Sequence, residues 1–268
     1  MFKRAERNWG PAQRVLAWAG LLLMAASVIW LQLLPPSPLL AKPEDLSAAM
    51  RGPITRVVID AGHGGDDSGT MRAGVLEKDL TLDVARRLDL LLRAKGLATT
   101  LTRTGDETVS LGNRAVTANR ERDCVFVSIH FDEGSRQAAT GVQTYYAVQQ
   151  AASAPLVSSW WPFFQPVSST SNNLESQSLA GFIQNALIVR TQAFDRGTTA
   201  QQFYVIAHVH HPAVLVEGGF LTNSDDIVKL ISDQYRQDLA AGISDGIMRY
   251  REAAAAQSPT LALGEPGS

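Results

Sequence analysis

Two histidines and two glutamates stand where apolar runs give way to turns. His63 follows Val57-Val58-Ile59-Asp60-Ala61-Gly62, His130 closes Ser128-Ile129-His130, Glu217 closes Val214-Leu215-Val216-Glu217, and Glu77 precedes a long helical stretch. Two imidazoles and one carboxylate around an open fourth position form a common catalytic zinc arrangement. A further carboxylate beside them can act as general base to an activated water. Taken singly these signals are weak, because a histidine at a strand end is more often a hydrogen-bonded polar group than a ligand. Their joint placement at the ends of separate strands is what points to a site.

The glycine-rich turn after the first strand raises a rival chemistry, since such turns also cradle phosphate. Gly62-His63-Gly64-Gly65 lacks the Lys-Ser/Thr ending of a P-loop and is not G-x-G-x-x-G. Asp66 and Asp67 follow it and would repel an anion. The glycines therefore read as turning the backbone and clearing space around His63. The two aspartates read as hydrogen-bonding the turn. His208, His210 and His211 form a second cluster, taken as loop or cleft-rim residues, and Gly218 and Gly219 are expected to let backbone approach a substrate.

The elements that must position these groups alternate in type. Residues 56–60 read as a buried strand. Leu80, Val84, Leu88 and Leu92 then recur at helical spacing, with Gly96 as the stop. Residues 97–103 alternate like a strand, 111–122 are helical, and 124–129 are apolar on both faces, as in a central strand. Further strands are expected at 142–148, 203–207 and 213–216, and helices at 174–191 and 225–252, the last broken near Ser232-Asp233. This order implies an α/β three-layer sandwich, a twisted, mostly parallel mixed sheet of about six strands with helices on both faces. Ligands of such sheets bind at the carboxyl ends of the strands, where the four residues fall.

The 268 residues carry a formal charge of -2 and no long basic block, which excludes an electrostatic footprint for nucleic acid. The single cysteine, Cys124, rules out an internal disulfide framework and reads as a buried small hydrophobe. A basic segment, residues 1–14, precedes an uncharged apolar run at 15–34 with Trp18 and Trp30 near its ends. That run suits a transmembrane anchor, with a cleaved signal sequence as the rival reading. Either reading puts the remainder outside the cytoplasm. Residues 35–53 read as a linker, 54–253 as one domain and 254–268 as a disordered tail.

Asp60-Ala61-Gly62-His63-Gly64-Gly65, Glu77-Lys78, Arg103, Asn113-Arg114, Ser128-Ile129-His130, Pro212-Ala213-Val214-Leu215-Val216-Glu217 and Gly219-Phe220-Leu221-Thr222-Asn223 resemble the zinc-dependent N-acetylmuramoyl-L-alanine amidases of the amidase-3 type. The resemblance runs in order over residues 54–250. It implies zinc on His63, Glu77 and His130, with Glu217 catalytic, and peptidoglycan as substrate. The bond cut would be the amide between the lactyl group of N-acetylmuramic acid and L-alanine of the stem peptide. A non-catalytic wall-fragment binder, or another zinc peptidase or deacetylase acting on wall polymers, is the alternative. The membrane, through the N-terminal run, and a protein activator complete the expected partners. Three features depart from the pattern: Asp132 stands where Asn is usual, the acidic residue after the final Asn is represented by Asp225 or Asp226, and an aromatic loop at 158–166 has no counterpart.

Overall fold

A computed structural model describes residues 54–132, 139–150 and 173–257, together with residues 10, 11, 18, 23 and 24. The linker, the 158–166 loop, most of the 15–34 run and residues 258–268 lie outside the described residues. No helix among the described residues is long and apolar enough to cross a membrane. The chain divides into two units, residues 1–42 and 43–268, and the second contains every element that follows.

The elements are β1 (Arg56–Ala61), β2 (Met71–Arg72), β3 (Val75–Leu76), α1 (Glu77–Ala94), β4 (Ala98–Leu101), α2 (Leu111–Asn119), β5 (Cys124–Asp132), β6 (Val142–Tyr146), α3 (Leu174–Thr191), β7 (Asp195–Ala200), α4 (Tyr204–Ala207), β8 (Ala213–Phe220), α5 (Ser224–Leu230) and α6 (Asp233–Gln257). Six strands form one sheet in the order β4-β1-β5-β8-β6-β7, and β2 and β3 form a separate hairpin. β4, β1, β5 and β8 run parallel, and β6 turns antiparallel against β8 with β7 parallel to it. The expected mixed, mostly parallel α/β sheet is therefore the observed one.

The two faces of the sheet are covered unequally. Val57, Ile59, Val125, Val127, Val214 and Val216 pack in one large cluster with Leu88, Leu92, Ile183, Leu187 and Ile243 from α1, α3 and α6. Val58, Phe126 and Leu215 point the other way, into a smaller cluster with Ala115, Ala118, Val205 and Ile206 from α2 and α4. Alternation along each strand separates the two sets, because successive side chains leave opposite faces.

The structure differs from expectation at two places and adds one strand that was not expected, Asp195–Ala200. Residues 203–207 form no strand; Tyr204–Ala207 is a single helical turn, and a five-residue apolar run carries too little periodicity to distinguish the two. Asp195–Ala200 is a strand without apolar alternation, because it pairs on one side only, at the sheet edge. The last helix continues to Gln257 with Ala254 buried, past the boundary at 253 that composition suggested.

Candidate active site

The turn after β1 is built by close approach. A Cβ on Gly62 would lie 2.4 Å from the His130 ring, and one on Gly69 would lie 2.5 Å from Glu77 Oε2 and 2.6 Å from the His63 ring. Glycine at both positions leaves room for three larger groups to converge. His63 itself takes φ 59, a left-handed conformation that costs a non-glycine residue energy and must be held by its surroundings.

Two buried arginines do the holding. Arg103 donates from Nε to Ala61 O (2.9 Å) and from Nη2 to Gly62 O (2.9 Å). Arg114 donates from Nη1 to Ala61 O (2.6 Å) and from Nη2 to His63 O (2.7 Å). Arg114 also pairs with Asp60 Oδ1 at 2.7 Å, inside the protein. Asp60 accepts further from Thr102 Oγ1 (2.6 Å) and Ser128 Oγ (2.7 Å). The carbonyls of a buried turn need such partners. Along the chain both arginines stand out only through the family motifs; the local clue to Arg114 is that it shares the inner stripe of α2 with Ala115 and Ala118.

His63 Nε2 and His130 Nδ1 each stand 3.0 Å from the same oxygen, Glu77 Oε1. Their rings meet edge to face with centroids 4.8 Å apart, and one ligand atom from each of the three residues falls within 4.8 Å of the others. Glu77 opens α1, and its oxygens also accept from Thr70 N (2.9 Å) and Phe131 N (3.0 Å). Burial works to raise the Glu77 carboxyl, but His130 and His63 outweigh it and hold it far below the usual carboxylate range. Burial likewise works to lower the His63 pKa, and Glu77 and Asp67 together raise it.

Asp67 does more than brace the turn. Its Oδ1 accepts from Gly69 N at 3.0 Å, as a turn aspartate would, while Oδ2 lies 2.8 Å from His63 Nδ1. If that nitrogen carries the proton, Nε2 presents its lone pair to Glu77 Oε1 3.0 Å away. Two acceptors at that distance require a cation between them, a proton or a metal. A two-imidazole, one-carboxylate set with one imidazole oriented by a second carboxylate suits zinc.

Glu217 is buried in β8, in register with His130 on one side and Gln143 on the other. His130, Glu217 and Gln143 thus form a row across one face, the face of the smaller apolar cluster. His130 and Glu217 lie inside their strands rather than at the ends, because β5 continues to Asp132 and β8 to Phe220. Gly218 is explained by packing: a Cβ there would lie 2.7 Å from the Phe131 ring, so its small size serves the interior rather than a substrate.

The second histidine cluster is elsewhere. His208 to His211 precede the start of β8, at the amino ends of the parallel strands, so they are loop residues and not a cleft rim beside His63. His208 stacks on Tyr204 with ring centroids 3.8 Å apart, and burial lowers the His211 pKa. Cys124 is buried, with its thiol pushed up to about 12, as an inert core residue should be.

The fold and the site together define an α/β domain with a histidine–glutamate–histidine cluster toward the carboxyl side of its parallel strands. The chain belongs to the N-acetylmuramoyl-L-alanine amidase family Amidase_3, whose model matches residues 57–249. It is 36% identical to the uncharacterized protein YqiI of Bacillus subtilis, over 72% of this chain and 84% of that one. It is 34% identical to the N-acetylmuramoyl-L-alanine amidase LytC of the same organism over 72% of this chain, but spans only 35% of LytC. Among solved structures, an N-acetylmuramoyl-L-alanine amidase from Clostridium difficile 630 aligns with a TM-score of 0.62 and 32% identity, over 75% of this chain and 98% of that one.

Proposed function

We propose that this protein hydrolyses the amide between the lactyl group of N-acetylmuramic acid and L-alanine in peptidoglycan. His63, Glu77 and His130 would hold zinc, and Glu217 is the catalytic acid–base. One observation carries the reading: two imidazole nitrogens converge on a single Glu77 oxygen, with Glu217 in register beside one of those histidines. Zinc held by these residues would supply Lewis acidity and lower the pKa of a water at the site. Glu77, ionised by its surroundings, contributes negative charge to the metal position. Asp67 holds His63 with Nε2 facing inward. Glu217 takes a proton from the attacking water and returns it to the departing amine of L-alanine. Burial of its carboxyl at the sheet favours that exchange by keeping competing water away.

The wall polymer lies outside the cytoplasm, and the basic segment followed by the apolar run at 15–34 suits a membrane tether that exports the domain. A protein activator remains a partner to be sought by co-purification. The test is digestion of purified peptidoglycan with the zinc-loaded full chain, followed by mass spectrometry. Free stem peptides and intact glycan are expected, with activity lost to a chelator and restored by zinc. Shortened stem peptides, or cleavage that survives chelation, would overturn the proposal.

A further inference from the structure

The row that carries Glu217 continues past Gln143 to an arginine that no step above uses. Between Val142 and Thr144 of β6, the partner strand advances from Asp195 to Thr198, so β7 carries an extra residue. Gly197, at φ 73, supplies the left-handed turn that such a bulge needs. The bulge aims Arg196 back along the sheet: its Nε donates to Gln143 Oε1 at 3.3 Å, and its guanidinium carbon sits 4.9 Å from the centroid of the Phe220 ring. A second irregularity supports the same geometry. Between the His130–Glu217 and Asp132–Phe220 pairs β8 advances one residue further than β5, which returns Phe220 to the face that bears Glu217. Gln143 is itself held in place, donating from Nε2 to Thr199 Oγ1 at 2.8 Å and accepting from Tyr145 OH at 2.9 Å.

An arginine built into position in this way is set up to bind an anion. Arg196 is exposed, no ion pair involves it among the described residues, and its terminal nitrogens keep the fork that matches a carboxylate. The adjacent Asp195 is engaged otherwise, its Oδ1 accepting from Gln184 Nε2 (2.6 Å) and Gly197 N (2.8 Å). Strands lie about 4.8 Å apart, so a group between β8 and β7 is roughly 5–10 Å from Glu217. An extended peptide covers that in one to three residues at about 3.5 Å each.

We propose that Arg196 is a substrate-binding residue that takes a free carboxylate of the stem peptide, within the first few residues after the scissile amide. This rests on the amidase reading above. It makes the enzyme selective for stems with free carboxylates over stems in which they are amidated.

The test uses zinc-loaded full chain and two defined muropeptides that differ only in amidation of the stem carboxylates. Wild type should favour the free-acid substrate through KM. Arg196→Gln should raise KM for that substrate about 10- to 100-fold, the range for a lost charged hydrogen bond, and leave the amidated substrate nearly unchanged. Arg196→Lys should restore part of the preference, as a point charge without the fork. Because selectivity is a ratio within one preparation, partial misfolding of a variant cancels from it. An equal loss on both substrates, or an unaltered preference in Arg196→Gln, overturns this inference alone. If wild type releases no free stem peptide from either substrate, the amidase reading falls and this one falls with it.

Discussion

The sheet has one face built for stability and one built for chemistry. Under α1, α3 and α6, the side chains leaving the strands are mostly apolar and buried, Thr99 and Thr144 being hydrogen-bonded to Asp89 of α1 and Gln184 of α3, and ion pairs such as Lys95–Asp245 and Arg190–Asp245 sit at the helix surfaces. On the opposite face the cover among the described residues is α2 and α4, and the strands carry Asp60, Ser128, His130, Glu217 and Gln143 beside a few apolar groups. Non-directional burial makes the first face tolerant of small shifts. The second depends on directed hydrogen bonds in low dielectric, where each partner left over is expensive. The fold thus lets a polar, strained turn persist by anchoring it to a sheet whose other side supplies the apolar core.

That contrast can be broken by substitution, and the largest effect should fall on activity alone. Glu217→Gln is expected to lower the rate of amide hydrolysis by about 10²–10⁴-fold while leaving zinc content and thermal unfolding close to wild type. Parallel loss of zinc or of stability would show that Glu217 holds the fold. Next come two stability variants of comparable size that should differ in a second readout. Arg114→Leu strands a buried Asp60 and frees the carbonyls of the His63 turn, so about 3–5 kcal/mol is expected to go, together with zinc affinity. Leu187→Ala opens a cavity under α3 and should cost about 2–5 kcal/mol in denaturant unfolding, with zinc affinity unchanged under folding conditions. If both variants weaken zinc alike, the two faces are not separable.

Smaller effects sharpen the same division. Asp67→Asn should reduce zinc affinity about 10- to 100-fold in a competition titration, since an amide orients His63 less strongly than a carboxylate, with little change in unfolding. On the helix side, burial works to raise the Asp245 pKa, but Lys95 and Arg190 prevail and lower it. A lowered folded-state value stabilises above the unfolded carboxylate pKa of about 4, and that contribution fades as pH falls through the folded value. Asp245→Asn should therefore be less stable than wild type by under about 1 kcal/mol at neutral pH, the difference shrinking below about pH 4. A difference that grows in acid would contradict the assignment.

Much of this was legible along the chain where one physical signal dominated. The 3.6-residue spacing of Leu80, Val84, Leu88 and Leu92 specified α1, and the continuous apolar run from Cys124 specified a central strand. The DAGHGG, SIH and VLVEGG stretches marked His63, His130 and Glu217, and the structure brings His63 and His130 together with Glu77. Legibility failed where local pattern was thin. β7 has no apolar alternation to announce it, and the helical turn at Tyr204–Ala207 is too short for a period to register.

What the sequence determined by itself, then, was the order and type of the long elements and the residue types able to bind a metal, since both depend on local periodicity and on side-chain chemistry. Only the tertiary structure decided that Arg103 and Arg114 clasp the His63 turn, that Asp67 orients the imidazole, and that a bulge turns Arg196 toward the row bearing Glu217. Those relations join groups up to about fifty residues apart, such as Arg114 Nη2 and His63 O with a separation of 51. They rest on strand register and on distances of about 3 Å, which no spacing along the chain encodes.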